Sequence, residues 1–438
     1  MASNVKQTNT DQISTEHSER QPELPPQHAP GSPVVAVIGD GQLARMMQTA
    51  AIELGQTVRL LAADHSASAA QVCADVTIGD YKNEADVQKV AAGADAVTFD
   101  HEHVPNEFLQ RLQSQNISVQ PGPQALIYAQ DKLLMRQKLA EIGAPVPPFA
   151  QIESVEDAQQ FADQVDGQVC LKARRGGYDG HGVWFPVADD STAEGSAPGR
   201  TELVQDLLDQ GVPLMAEKKV ALRRELSAMC ARTPSGQVQP WPVLQSVQKD
   251  GICVEAIAPA PDMSDELRQE AEELSVRIAE SLGVTGVLAV ELFEVLDDAG
   301  QPQIFVNELA MRPHNTGHWT QDGCVTDQFE QHLRAVLDYP LGATQTVAPV
   351  TVMRNTLGGE VDPELPLAQR FAAVWQRFPE VKIHWYGKGW RPGRKMGHVN
   401  ICGDDASEAG VARLREIAEL AAGYIVDGVW HDQSEGNN

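Results

Sequence analysis

From Val34 onward the apolar positions change period in a regular rhythm. VVAVIG (34–39) is a short β-branched run, and QLARMMQTAAIELG (42–55) carries apolar residues at helical spacing and ends on a glycine. TVRLLA (57–62) and DAVTF (95–99) read as strands, with a helix near 106–114 and a strand at ISVQP (117–121). This alternation predicts a parallel sheet with helices on both faces. PQALIYAQDKLLMRQKLAEIG (123–143) reads as one longer helix that ends on Gly143 and runs into the proline cluster APVPPF, a domain hinge.

The middle of the chain has a different grain. QVCLKA (168–173) and GVWFPV (182–187) read as two strands joined by a glycine-rich flap, followed by a surface loop at 188–200 and a helix at 201–209. Strand-like segments continue to about 260, and SDELRQEAEELSVRIAESLG (264–283) is a helix. GVLAVELFEVL and QIFVNELAMR then flank the turn DDAGQ as a hairpin. With its centre at Ala299-Gly300, positions summing to 599 pair, and Glu291 faces Glu308. Carboxylates opposed at ~4.5–5.5 Å between Cβ atoms repel unless a hard divalent cation bridges them. A slipped turn would instead leave one of them in solvent.

Composition narrows the chemistry. The 438 residues allow two or three domains, and the net charge of −27 (34 basic, 61 acidic) argues against a nucleic-acid partner. Six scattered cysteines with no Cys-x-x-Cys pair fit a reducing, cytoplasmic setting, and no apolar run approaches the ~18 residues of a membrane helix. Residues 1–32 and 432–438 read as disordered tails.

Against that acidity, the basic clusters stand out. KARRGGYDGHGV (172–183) places glycines behind Arg174 and Arg175, a composition suited to an anionic ligand, yet it matches neither the P-loop nor the dinucleotide pattern. GDGQLA (39–44), with Asp64 twenty residues on, admits a nicotinamide-dinucleotide site, another phosphorylated ligand, or tight packing alone. RPHNTGHW gathers Arg312, His314 and His318 just after Glu308. HWYGKGWRPGRKMGHVN (384–400) reads as a solvated loop or, better, as a phosphate-binding loop through Lys388, Arg391, Arg394 and Lys395.

GDGQLARM, KARRGGYDGHGV, the Glu291/Glu308 pair, NELAMRPHNTGHWT and RPGRKMGHVN occur in this order. Together they resemble the N5-carboxyaminoimidazole ribonucleotide synthases, ATP-grasp ligases of purine biosynthesis, over essentially all of 34–430. The resemblance implies an α/β and α+β ATP-grasp fold: a Rossmann-like domain at 33–124, an ATP-grasp domain at 125–330 with a lid at about 145–210, and a C-terminal part at 331–431. It implies carboxylation of aminoimidazole ribonucleotide with ATP and bicarbonate, Mg2+ as cofactor, and a homodimer with no nucleic-acid or membrane partner. Rival readings are another ATP-grasp ligase, such as a formate-dependent transformylase, and a catalytically silent ATP-binding protein.

By the same resemblance Lys132 and Lys172 hold ATP phosphates, and Gly176, Gly177, Tyr178, Asp179, Gly180, His181 and Gly182 form the closing flap. Glu217, Lys218, Lys219 and Val220 lie at the adenine edge, with Gln248 nearby and Glu225 on the ribose. Asn307 and Glu308 lie at the phosphate end, with Glu291 and Glu308 on the metal. Arg312 and His314 meet the bicarbonate-derived group, Tyr178 and Asp179 take part in catalysis, and Glu102 or His314 accepts the proton. Gly41, Gln42, Glu102, Lys388, Arg394 and Lys395 face the ribonucleotide. His181 replaces the usual Lys or Arg, which makes the flap's cation pH-sensitive. Lys219 and Leu222 replace aromatics, Gln248 a histidine and Met311 a proline.

Overall fold

Four parallel strands, β1 Val34–Ile38, β2 Thr57–Ala62, β3 Asp75–Ile78 and β4 Ala96–Phe99, form the first sheet in the order β3-β2-β1-β4. The computed structural model describes residues 28, 30–177, 181–187 and 199–432. Most of the two expected tails, nearly all of the loop 188–200, and the flap residues Tyr178, Asp179 and Gly180 lie outside them.

The all-apolar pattern of β1 follows from its neighbours. Val35 and Val37 pack with Leu43 and Met47 of α1 (Gln42–Glu53), while Ala36 and Ile38 pack with Val87 and Val90 of α2 (Glu84–Ala91) and Leu109 of α3 (Asn106–Ser114). A strand with a core on each side has no polar face. The strand order reverses between β1 and β4, so their C-terminal ends border a crevice, and Gly39–Gly41 and Asp100–Glu102 emerge into it.

Two expected elements differ. ISVQP contributes only a parallel bridge from Val119 to Val97, because Pro121 has no N–H with which to extend a ladder. The helix expected over 123–143 is two helices, α4 Pro123–Gln130 and α5 Lys132–Glu141. Asp131 sits extended between them, and its carboxylate accepts from the N–H groups of Leu133 and Leu134 as the cap of α5.

A small antiparallel sheet, β5 Phe149–Ile152, β6 Val169–Ala173, β7 Val183–Trp184 and β8 Leu214–Lys218, runs in the order β5-β8-β6-β7. Helices α6 Val155–Gln164 and α7 Arg200–Asp209 share its core. Of the strand expected at 182–187 Val183 and Trp184 pair opposite Lys172 and Leu171, and Val187 makes an isolated bridge to Gly199.

The large sheet is continuous from β14 to β16. Its strands are β9 Leu222–Arg232, β10 Val238–Pro240, β11 Leu244–Lys249, β12 Ile252–Ala258, β13 Gly286–Leu296, β14 Pro302–Ala310, β15 Val350–Leu357, β16 Lys382–Trp385 and β17 Lys395–Gly403. The path is β14-β13-β9-β11-β12-β15-β17-β16, with β10 on β9. Helix α8 (Asp265–Leu282), capped by Ser264, buries Leu267, Leu274, Ile278 and Leu282 in the core with β9 and β13. Each of these contributes ~1.5–3 kcal/mol. One sheet therefore carries both the carboxylate hairpin and, between β16 and β17, the basic loop.

Candidate active site

Glu291 does face Glu308, but by a different route from the one expected. Next to the turn the hairpin pairs one residue out of the expected register, Leu296 with Pro302 and Phe293 with Phe305. An extra residue on β14, Asn307, then shifts the pairing so that Glu291 meets Glu308 and Val290 meets Leu309. Such a bulge re-aims side chains. Asn307 and Glu308, though consecutive, both line the same cavity of about 1700 Å³. Asn307 Nδ2 lies 3.5 Å from Glu291 Oε2, and Lys132 Nζ lies 2.5 Å from Glu308 Oε1.

The charge around Glu291 is unbalanced. Its carboxyl is pushed up to about 8, first by desolvation in the cleft floor and then by Glu308 and Glu225, against the pull of Lys132 and Lys395. The side chain is nonetheless 22 % exposed, so it opens onto the cavity. Among the described residues no group of three or more His, Cys, Asp or Glu is arranged to hold a metal. Two facing carboxylates fit a hard cation whose other ligands arrive on a bound phosphate.

Glu217 shows the opposite balance. It is sealed between Arg136, whose Nε donates at 2.7 Å, and the ammonium of Lys172. Burial alone would raise this carboxyl; Arg136 and Lys172 overcome it and hold it down at about 2. Arg136 also donates to the carbonyl of Asn307 at 2.7 Å, and Lys172 Nζ donates to Asn307 Oδ1 at 3.2 Å. The network thus fixes the bulge from behind. Arg136 gave no sequence signal, since it sits in an ordinary helical pattern.

Asp131 organises the base of the flap. Its carboxylate accepts from Arg174 Nη2 at 2.9 Å and Arg175 Nε at 3.0 Å, while the N–H of Lys132 donates to the carbonyl of Arg174. The two arginines that pointed to an anionic ligand therefore anchor the loop. The same break in the helix turns Lys132 toward Glu308.

At the other end of the cavity Arg312 Nε donates to Glu102 Oε2 at 2.9 Å. His314 Nε2 lies 3.4 Å from Glu291 Oε1, and its Nδ1 lies 2.8 Å from Thr316 Oγ1. Burial, with Arg312 and Lys395 beside it, holds the His314 ring well below the usual histidine range, so it is neutral. Lys388 donates to Gln42 Oε1, which joins the basic loop to the turn after β1. Burial, followed by the nearby Arg394, brings Lys388 down to about 8.

The turn GDGQ owes its glycines to Asp100. A Cβ on Gly39 would fall 1.7 Å from Asp100 Oδ1, and the N–H of Gly41 donates to Asp100 Oδ2 at 2.6 Å. The amide that would meet a pyrophosphate is occupied by a carboxylate. Asp64 is exposed and accepts from Ser66. The dinucleotide reading of this turn has no support here.

The cavity wall brings together nearly all the expected residues: Gln42 and Glu102, Lys132 and Lys172, Gly176, Gly177 and His181, Glu217 through Val220, Glu225, Gln248, Glu291, Asn307, Glu308, Arg312, His314, Lys388, Arg394 and Lys395. Gly41 and Gly182 are not part of the lining; the carbonyl of Gly182 accepts from the N–H of Ala173. Phe185, on the chain just after β7, lines the wall with Leu222, and Lys219 Nζ lies 5.3 Å from the Phe185 ring centre. It supplies an aromatic where Lys219 and Leu222 had none. Desolvation raises Asp100, also in the wall, to about 7 and Glu225 likewise to about 7.

Known proteins resemble this chain in sequence and fold. Residues 33–130 match the ribonucleotide synthetase preATP-grasp domain, 137–329 the ATP-grasp domain, and 351–411 the phosphoribosylaminoimidazole carboxylase C-terminal domain. The chain is 58 % identical over 410 residues to an N5-carboxyaminoimidazole ribonucleotide synthase of Corynebacterium ammoniagenes, covering 93 % of this chain and 95 % of that one. It is 51 % identical to the synthase of Mycobacterium tuberculosis H37Rv, covering 92 % and 90 %. Among solved structures, the Aspergillus clavatus synthase in complex with ADP and 5-aminoimidazole ribonucleotide superposes with a TM-score of 0.76 at 28 % identity, over 89 % of this chain and 99 % of that one. The Thermus thermophilus synthetase does so with a TM-score of 0.75 at 33 % identity, over 91 % and 99 %.

Proposed function

We infer that this chain, which belongs to the N5-carboxyaminoimidazole ribonucleotide synthase family of ATP-grasp ligases, carboxylates 5-aminoimidazole ribonucleotide with ATP and bicarbonate, releasing ADP and phosphate, in purine biosynthesis. The observation that supports this best is the placement of two chemistries in one cavity. The facing carboxylates Glu291 and Glu308 lie on one wall, and the cations Lys388, Arg394 and Lys395 lie on another.

In this reading the nucleotide lies between the small and large sheets, with its base toward Glu217–Val220 and Phe185 and its ribose on Glu225. Lys132 and Lys172 draw the phosphates, and the flap amides close over them. Glu291 and Glu308, with Asn307, would hold Mg2+, which supplies Lewis-acid neutralisation of phosphate charge. A bicarbonate oxygen attacks the γ-phosphorus in line, ADP leaves, and carboxyphosphate forms. Arg312 draws the anion while Glu102 holds the guanidinium in place.

The exocyclic amine of the ribonucleotide, whose phosphate lies on the basic loop, then attacks the carboxyl carbon. The C–O bond to phosphate breaks and the amine loses a proton. Glu102 and His314 both line the cavity as candidate acceptors, Glu102 engaged with Arg312 and His314 neutral. Exclusion of water by the flap, Tyr178 and Asp179 included, protects the intermediate. Six free cysteines fit a cytoplasmic setting, and no helix among the described residues is long and apolar enough to cross a membrane. By family likeness we propose a homodimer.

The test is phosphate release from ATP in bicarbonate buffer. Stimulation by aminoimidazole ribonucleotide, with a carboxylated product, is expected. Stimulation by a different amine with formate, or no stimulation by any acceptor, would overturn the assignment.

A further inference from the structure

We propose that Asn315 presents its amide N–H groups to an oxyanion of the bicarbonate-derived reactant, and that Gln328 fixes this orientation through His318. The proposal deepens the reaction assigned above and rests on it.

Two backbone groups of His314 have no choice of role. The backbone N–H of His314 can only donate, and it reaches Gln328 Oε1 at 2.8 Å. The carbonyl of His314 can only accept, and it meets Gln328 Nε2 at 2.9 Å. These two bonds set which end of the Gln328 amide is oxygen and which is nitrogen. The second Nε2 hydrogen points to His318 Nδ1 at 3.0 Å, so Nδ1 accepts and the neutral ring carries its proton on Nε2. His318 Nε2 lies 3.2 Å from Asn315 Oδ1, so the oxygen of that amide faces His318. Its NH2 group, which makes no hydrogen bond among the described residues, is left for the cavity that Asn315 lines beside Arg312 and His314.

Several features hold this relay in one state. Gln328 and His318 are fully buried. Gln328 opens the helix Gln328–Val336, and its main-chain N–H donates to Thr320 Oγ1. A Cβ at Gly317 would fall 2.4 Å from Gln328 Oε1, so the close approach needs glycine there. Protonation of His318 would break the relay. It is opposed first by burial, then by His314, His384, Lys395 and Lys388, while the ring stacks on His398 at 4.7 Å. Arg312 and Lys395 on the same wall make an anion the fitting recipient of the amide's donors.

The experiment joins nitrogen NMR of the full-length, 15N-histidine-labelled chain with kinetics. His318 is expected as the Nε2–H tautomer, with or without substrates; the Nδ1–H tautomer or an imidazolium overturns the proposal. Asn315→Ala should lower kcat/KM for bicarbonate about 10- to 100-fold, the usual loss of a hydrogen bond to an ion, with MgADP affinity unchanged. Gln328→Glu, which cannot donate to both His314 and His318, should cost a similar factor and alter the His318 nitrogen shifts. The double variant should be no worse than the poorer single one. Additive losses, or a loss confined to ATP, overturn the relay. Should Gln328→Glu not fold, the wild-type tautomer and Asn315→Ala still decide. Aminoimidazole-dependent turnover by the wild type tests the underlying reaction separately from the tautomer.

Discussion

Two glutamates stand in one cavity wall and are treated in opposite ways. Glu217 is enclosed by Arg136 and Lys172 and held at about 2; Glu291 faces another carboxylate, opens onto the cavity, and is pushed up to about 8. A carboxylate satisfied by the protein's own cations is a structural part. In the function proposed above, the one left against like charge receives a cation from outside. The difference separates the two residues, although both line the same cavity.

Substitutions that neutralise each glutamate should break the symmetry. Glu291→Gln or Glu308→Gln should lower magnesium-dependent turnover on the order of 10³-fold or more, by removing a metal ligand, and Glu291→Gln should leave the metal-free melting temperature level or higher. Near-normal turnover in either would remove the pair from the metal site. Glu217→Gln should instead destabilise the fold by about 3–5 kcal/mol, because it leaves two cations without their partner. Denaturant titration checks this, and an unchanged midpoint would contradict the scaffold role. Arg394→Ala with Lys395→Ala should raise KM for the ribonucleotide about 10- to 100-fold with ATP affinity nearly intact. Lost ATP binding would reassign the loop.

Stability against pH sharpens the same contrast. Glu217, lowered from 4.5 to about 2, contributes stability that is present above pH 4.5 and lost as pH falls toward 2. Glu291, raised from 4.5 to about 8, acts in reverse: metal-free stability declines as pH rises from 4.5 to about 8. Thermal melts in chelator should show the second slope in the wild type and a shallower one in Glu291→Gln, where Asp100 and Glu225 remain.

How much of this was legible in the sequence depended on whether a signal was periodic. The buried strand β1, the helix α8 and the hairpin show in their hydrophobic spacing. The Glu291–Glu308 pairing was reached from a turn register that is one residue out, and only the bulge at Asn307 makes it hold. A bulge leaves no mark on apolar alternation. The break at Asp131 was masked by helix formers on both sides, although an Asp before a Lys-Leu-Leu run is an available cap signal. Arg136 and Asp100 act through partners far along the chain, Asp100 with Gly41 59 residues away and Arg136 with Asn307 171 residues away. No window along the chain reports such contacts. The glycines of GDGQ, in turn, looked like ligand chemistry and serve the approach of Asp100.

In the metal site proposed above, a cation takes the place of the proton that burial and the like charge of Glu308 and Glu225 favour on Glu291. Calorimetric titration of MgADP at pH 7, repeated in buffers of different ionisation enthalpy, measures that replacement directly. The wild type should release roughly one proton more per site than Glu291→Gln, since ligation requires the carboxylate. Equal proton release by the two proteins, with both binding MgADP, would contradict it.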